Sequence, residues 1–315
     1  MTSIVFMGTP EFSAPILESL IENGYDVKAV MTQPDRMVGR KRVLTQSPVK
    51  QVAVKHGIKV LQPEKLSGSD EMAEVIAMKP DFLVTAAFGQ FLPTKLLAAA
   101  QIGAINVHGS LLPKYRGGAP IQYAIMNGEQ ETGITIIYMV KQMDAGNIIS
   151  RRAIKIEDND DSGSMFEKLS LLGKELLLEV LPKLVNGTSE SIPQNEDEVT
   201  FSPTIKPEEE ALDFTKTAKE IDWKIRSLRP VPGAYTILKG KRTKFWDVTV
   251  LDEKTELTAG QVVEVAKKLL KIACGNGTVL AVNELQPNGK SKQTIVDYLN
   301  GSGQGIKEGQ QVIDV

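Results

Sequence analysis

One cysteine, Cys274, stands in 315 residues, so the chain can close no disulfide on itself and offers no multi-cysteine zinc site. Histidine is nearly as scarce. His56 and His108 are the two, too few for a histidine-rich metal centre, and no metal is expected. No stretch approaches the roughly 20 apolar residues of a membrane-spanning helix. The opening Met1-Thr2-Ser3-Ile4-Val5-Phe6-Met7-Gly8 has too short an apolar part and no basic flank for a signal peptide. It reads as a strand, and the chain as cytoplasmic. Neither sign of charge dominates: 37 Lys and Arg against 39 Asp and Glu give a formal net charge of −2. That argues against bulk electrostatic binding of nucleic acid and leaves room for a local basic patch. The remaining composition is that of an ordinary globular protein, long enough for two domains.

The pattern begins with Ser3–Met7, an apolar β-branched run ending at Gly8, which predicts a buried strand. After the turn Gly8–Phe12, Ser13 is expected to cap a helix through Asn23, with Ile16, Leu17, Leu20 and Ile21 on one face. Tyr25–Thr32 gives a second strand, and strand, turn, helix and strand make a βαβ unit with a parallel sheet. The turn is not Gly-x-Gly-x-x-Gly, so a dinucleotide site has little support. Gln33–Lys50 breaks the pattern: Arg36, Arg40, Lys41, Arg42 and Lys50 oppose Asp35 alone. The segment is long for a strand-to-helix connection. It reads either as a solvated basic loop or as an arm that contacts phosphate. Pro48–His56 is expected to be a helix with His56 at its C-terminus, a structural place for a partly cationic ring. Phe82–Ala87 is a continuous apolar run, hence a buried parallel strand. Phe88, Gly89, Gln90, Phe91, Leu92 and Pro93 follow at its C-terminal end, where open α/β sheets bind ligands. Their apolar side chains either wall a flat aromatic ligand or cover the core.

Asn106 and His108 end another apolar run, Ile102–Ile105, and two-residue spacing puts them on one side of an extended strand. A carboxamide beside an imidazole can polarise a carbonyl, the amide donating to oxygen and the imidazole donating or shuttling a proton. A capped strand end with a satisfied histidine is the plainer alternative. Gly109, Pro113, Gly117 and Gly118 make the following loop tight. Gly133–Met139 and Asn147–Ile156 predict a hairpin at the sheet edge, and Asp144 in the turn between them is a third candidate for chemistry. Ser162–Leu184 reads as a long amphipathic helix capped by Ser162 or Ser164. Residues 186–210, with three prolines and two acidic clusters, read as a linker. Beyond a helix at Thr215–Leu228, short strands at 234–238, 243–250, 261–264, 269–273 and 278–284 predict a small barrel of the OB type. Lys239, Lys241, Arg242 and Lys244 cluster on it, and a single-stranded nucleic-acid end is a plausible partner. Ordinary surface lysines explain them equally well.

Taken together, Asn106-Val-His108-Gly-Ser110-Leu-Leu-Pro113 and Arg116-Gly-Gly-Ala-Pro-Ile resemble the signature of the folate-dependent formyltransferases. Gly8-Thr-Pro-Glu-Phe12, Thr32-Gln-Pro-Asp-Arg36 with the basic loop, Glu131-Thr-Gly-Ile-Thr135, Asp144-Ala-Gly146 and Pro232-Gly-Ala-Tyr-Thr236 narrow the resemblance to the branch acting on methionyl-tRNA. The match spans nearly the whole chain. It implies an α/β protein with a Rossmann-like catalytic domain at 1–189, a linker at 190–208 and a tRNA-binding OB-like β-barrel at 209–315. It implies formyl transfer from 10-formyltetrahydrofolate, as co-substrate, to the α-amine of methionine on initiator tRNA. On that reading Asn106 and His108 stabilise the oxyanion, and Asp144 relays protons and supports the imidazole. Phe88, Gly89, Gln90, Leu92, Ser110, Leu111, Leu112, Pro113 and Met139 enclose the folate. Arg36, Arg40, Lys41 and Arg42, with Arg42 foremost, and Lys206, Lys241 and Arg242 contact the tRNA of a monomeric enzyme. Two departures concern tRNA docking: Val231-Pro232 where many relatives have Trp-Pro, and Thr204-Ile205 where many have Lys-Ile, with Lys206 one place on. Two alternatives stay open. One is a formyl-folate enzyme acting on an amino-sugar nucleotide or hydrolysing the formyl group. The other is a non-catalytic RNA-binding module.

Overall fold

The computed structural model describes residues 1–39 and 41–315. In chain order its main elements are β1 (Ser3–Gly8), α1 (Ala14–Glu22), β2 (Asp26–Met31), β3 (Arg36–Val38), β4 (Val43–Thr45), α2 (Pro48–Lys55), β5 (Val60–Leu61), α3 (Asp70–Met78), β6 (Phe82–Ala86), α4 (Thr94–Leu97) and β7 (Gly103–His108). There follow α5 (Pro120–Met126), β8 (Glu131–Tyr138), β9 (Ile148–Lys155), α6 (Ser162–Val185), α7 (Ala218–Leu228), β10 (Tyr235–Leu238), β11 (Lys241–Lys254), β12 (Val262–Ala266), β13 (Leu269–Ala273), β14 (Thr278–Pro287), β15 (Gln293–Thr294) and α8 (Ile295–Asn300). The chain divides into two compact units. The first holds Met1–Pro120, Glu131–Lys155 and Ser164–Thr204, and the second Ile121–Gln130, Ile156–Gly163 and Ile205–Val315.

The first unit is built on a sheet of order β5-β2-β1-β6-β7-β8-β9. Strands β5, β2, β1, β6 and β7 run parallel, and β8 and β9 add an antiparallel hairpin at the edge. The apolar runs of β1 and β6 are fully buried, as strands covered on both faces require. Val5, Met7, Met31, Leu83 and Ala104 share one core cluster with Val75 and Leu96 of α3 and α4. By strand alternation Ile4, Phe6 and Val107 face the opposite side, where Phe12 meets Phe166 of α6 edge-on at 6.4 Å between centroids.

Three local expectations change. Ser13 does not cap α1; its hydroxyl donates to Ala86 O at 2.6 Å, because a buried hydroxyl in reach of a strand-end carbonyl is better satisfied there than at an already packed helix start. The basic stretch after β2 is not one open loop: Arg36–Val38 and Val43–Thr45 pair as an antiparallel hairpin, with Met37, Val38, Val43 and Leu44 exposed. Residues 190–204 are held rather than slack, since Ile192 bridges to Ile148 and Phe201 to Arg116. His56 occupies the C-cap of α2, its Nε2 at 2.9 Å from Glu18 Oε1.

The second unit carries an antiparallel sheet of order β10-β11-β14-β13-β12, with β15 on β14. The chain end closes it. Ile313 bridges to Leu238 beside β10, and Gln311 bridges to Gln261 beside β12, so residues 309–314 join the two outer strands into a barrel. Ile221, Ile225 and Leu228 of α7 and Ile295 and Tyr298 of α8 plug its core, and Phe214 packs edge-on against Phe245 at 6.1 Å. Thr217 caps α7 in a capping box with Glu220, which satisfies two of the helix's unpaired N–H groups.

Candidate active site

Strand β7 is in register with β6 so that Asn106 stands beside Thr85. The hydroxyl of Thr85, itself buried, donates to Asn106 Oδ1 at 2.8 Å. Asn106 Nδ2 donates to Asp144 Oδ1 at 3.3 Å. A carboxylate only accepts, so these two contacts fix which way the amide faces. Among the described residues the second N–H of the Asn106 amide has no partner. His108, on the same side of β7, is buried. Its Nε2 lies 2.9 Å from Tyr115 O. That carbonyl cannot donate, so Nε2 carries the hydrogen, and the Nδ1 edge is an acceptor in the neutral ring and a donor in the imidazolium. Nδ1 lies 3.7 Å from Asp144 Oδ2, too far for a hydrogen bond and close enough to attract the positive charge of a protonated ring.

Asp144 reaches this place because the excursion after β8 folds back over β7. Its backbone is left-handed, at φ 50°, an uncommon conformation that aspartate tolerates better than most residues. Gly117 N–H donates to Asp144 Oδ2 at 2.9 Å. Gly146 is needed for closeness: a Cβ there would collide with the carbonyl of Tyr138. Gly117 is needed for both reasons, at φ 128° and with Ser202 O 2.6 Å from where a Cβ would stand.

The remaining expected contacts divide by location. Met139 Sδ lies 3.4 Å from Thr85 Oγ1, beside Asn106. Ser110–Pro113 follow His108 directly. Ser110 Oγ donates to Lys114 O, Thr135 Oγ1 donates to Ser110 O at 2.6 Å and accepts from Leu112 N, and Leu112 packs with Ile137 and Ile148 while Leu111 is half-buried and Pro113 buried. Phe88 and Leu92 point into the core cluster, so of the two readings of that loop their side chains follow the core-covering one; Phe91 is the exposed ring. Gly89 is left-handed, and Gln90 ties the loop to its neighbour through Leu66 N and Pro63 O.

Of the basic residues, Arg40 lies outside the described residues. Arg36 pairs with exposed Glu64 at 2.7 Å, a contact worth little in water. Lys41 and Arg42 are exposed at the hairpin turn. Lys50 is committed elsewhere: its ammonium, then Gln62, holds the Asp35 carboxyl below the usual range. In the second unit Lys206 and Lys241 are exposed, and Arg242 stacks on Tyr235 at 3.7 Å and reaches Glu210 at 3.3 Å. Among the described residues no group of three or more His, Cys, Asp or Glu could hold a metal ion, and no helix is long and apolar enough to cross a membrane.

Sequence reading gave no separate role to Thr85, Tyr115, Arg116, Thr135 or Gln194, although Arg116 and Thr135 stand in the motifs quoted above. Thr85 is a lone hydroxyl near the end of an otherwise apolar buried run.

The amide of Asn106, the imidazole of His108 and the carboxylate of Asp144 thus meet at one end of the sheet. The family model described as formyl transferase matches residues 1–181, and that described as formyl transferase, C-terminal domain, matches residues 204–303; the chain belongs to this family. Within it, the methionyl-tRNA formyltransferase of Ligilactobacillus salivarius is 63% identical over 315 residues, covering 100% of this chain and 99% of the relative. The methionyl-tRNA formyltransferase of Lactiplantibacillus plantarum is 65% identical over 316 residues, covering 100% of both. Among solved structures, an N-formyltransferase from Helicobacter canadensis in complex with folinic acid and dTDP-3-aminofucose shares the fold. It has a TM-score of 0.65 at 20% identity, covering 91% of this chain and 100% of that one.

Proposed function

We propose that this protein transfers the formyl group of 10-formyltetrahydrofolate to the α-amine of methionyl initiator tRNA, as a cytoplasmic monomer without a metal. The observation that carries the reading is the meeting of Asn106, His108 and Asp144 in a chain more than 60% identical, end to end, to relatives of that name. The amine lone pair forms the new C–N bond and the carbonyl π pair moves to oxygen. The remaining Asn106 N–H and the Nδ1 edge of His108, when protonated, face the developing oxyanion. Collapse breaks the bond from carbon to N10 of the folate. The amine gives up one proton and N10 takes one, and His108 with Asp144 carries the exchange. The attacking amine makes an enzyme nucleophile unnecessary.

Residues 1–189 serve as the catalytic domain, 190–208 as the connecting segment and 209–315 as the tRNA-binding domain. The folate lies among the backbone of Phe88–Leu92, Ser110–Pro113 and Met139. Arg36, Lys41 and Arg42 on the hairpin, and Lys206, Lys241 and Arg242 on the barrel, meet tRNA phosphates, as does Arg40 of the same basic stretch of sequence. The exposure of Lys41 and Arg42 beside four exposed apolar side chains favours tRNA over a nucleotide-sugar acceptor, which needs no such hairpin.

Replacing His108 by Ala tests the reading. Turnover is expected to fall by about a hundredfold or more, with tRNA binding retained. Wild-type turnover in that variant would overturn the mechanism and favour a binding module.

A further inference from the structure

The segment 194–202 touches the site at two points that the reaction does not explain. Ser202 Oγ donates to Tyr115 O at 3.0 Å, the same carbonyl that receives His108 Nε2. Gln194 is the other. The side chain of Arg116 is 1% exposed, and its Nε and Nη2 donate to Gln194 Oε1 at 3.1 and 3.0 Å. A guanidinium has donors only, so the Gln194 oxygen must face it and the amide nitrogen must face away. That nitrogen donates to Asp144 O at 2.7 Å and to Gly146 O at 2.9 Å. Every hydrogen of the amide is then used. Arg116 is held from behind by Glu196, through Nη2 to Oε1 at 2.8 Å, and its backbone pairs with Thr200 O and Ser202 N.

We propose that Gln194 is a positioning residue for Asp144: with its amide aligned by Arg116, it grips both carbonyls of the Asp144–Gly146 turn and so keeps the carboxylate against Asn106 and His108. The left-handed backbone of Asp144 is the reason such a grip is needed. That conformation costs about 1 kcal/mol or more outside glycine and persists where the surroundings over-determine it. Gly117 N–H holds the side chain, and Gln194 holds the backbone behind it. The inference rests on the formyl-transfer reading for its rate measurements and on geometry alone for its spectroscopic one.

The test compares Gln194→Met, which keeps shape and loses every hydrogen bond, with Gln194→Glu, which keeps the oxygen facing Arg116 and sets a second oxygen against the two carbonyls. Each is made alone and combined with Asp144→Asn. Formyl transfer to methionyl initiator tRNA is expected to show kcat ten- to a hundredfold lower in both single variants, with KM for tRNA and for formyl-folate within about twofold. Combined with Asp144→Asn, Gln194→Met should cost almost nothing more, because its effect passes through the carboxylate. A wild-type kcat in the single variants overturns the proposal, as does a loss that multiplies undiminished on Asp144→Asn. The imidazole resonances provide a readout without substrate, with His56 as the internal control. Gln194→Met should move the His108 resonance as Asp144→Asn does and leave His56 in place. An unmoved His108 overturns the proposal even if the wild-type protein proves inactive on methionyl-tRNA, which would instead refute the assigned reaction.

Discussion

Replacing Thr85 by Val removes one hydroxyl and leaves the strand intact. The loss falls on Asn106, whose Oδ1 accepts that hydroxyl at 2.8 Å. Left as it is, the half-buried Asn106 amide keeps its oxygen facing a methyl group, at a cost of about 1–2 kcal/mol. Rotated by half a turn, it presents that oxygen to the Asp144 carboxylate, which offers no donor. Neither orientation recovers the lost bond, so the productive one becomes a smaller part of the population. A shortfall of about 1.4 kcal/mol in the transition state is tenfold in rate. The expected kcat for formyl transfer is therefore about tenfold below wild type, within roughly five- to thirtyfold given the spread of such bonds. Thr85→Ser keeps the donor and should stay near wild type. Steady-state transfer to methionyl-tRNA measures both, with thermal unfolding to confirm that each variant is folded. A Thr85→Val enzyme as fast as wild type would refute the claim that the Asn106 amide is oriented for the chemistry.

Gly117→Ala should destabilise the first unit by about 1–3 kcal/mol, from the left-handed backbone together with the approach of Ser202 O; urea unfolding at wild-type stability would contradict this. Burial pushes the Cys274 thiol up to about 12, so a thiol reagent at pH 8 should leave the native protein unmodified and react promptly in denaturant. Rapid native labelling would show that the barrel core opens. Acid sensitivity follows from Asp35, lowered by Lys50 and then Gln62, and Asp81, lowered by the backbone and side chain of Ser3. A carboxyl lowered in the fold contributes stability above its unfolded value, lost as pH falls below about 4 toward the folded value. Asp35→Asn should therefore flatten the loss of stability between about pH 4 and pH 2; an unchanged slope would remove Asp35 from the account.

The parallel strands were readable because buried strands are written as short continuous apolar runs, as in Ser3–Met7 and Phe82–Ala87. Asn106 and His108 were readable because they lie two apart on one strand. Asp144 was visible as a turn residue, while its approach to β7 depends on a fold-back that no local pattern encodes. Gln194 and Arg116 are 78 residues apart, and although Arg116 stands in the quoted signature, nothing local ties it to Gln194. Ser13 shows the opposite failure. Its position suits a helix cap, and the carbonyl of Ala86, brought near by strand pairing, takes its hydroxyl instead. The barrel strands were legible one by one, but the closure by residues 309–314 was not, since those residues pair through isolated bridges and carry no alternating pattern.

Formyl transfer from 10-formyltetrahydrofolate should be measured on methionyl initiator tRNA, with methionyl elongator tRNA as the control. Transfer to the initiator and little to the elongator is expected. Transfer to neither, by protein that still binds the folate, would contradict it and turn the search for an acceptor to amino sugars or water.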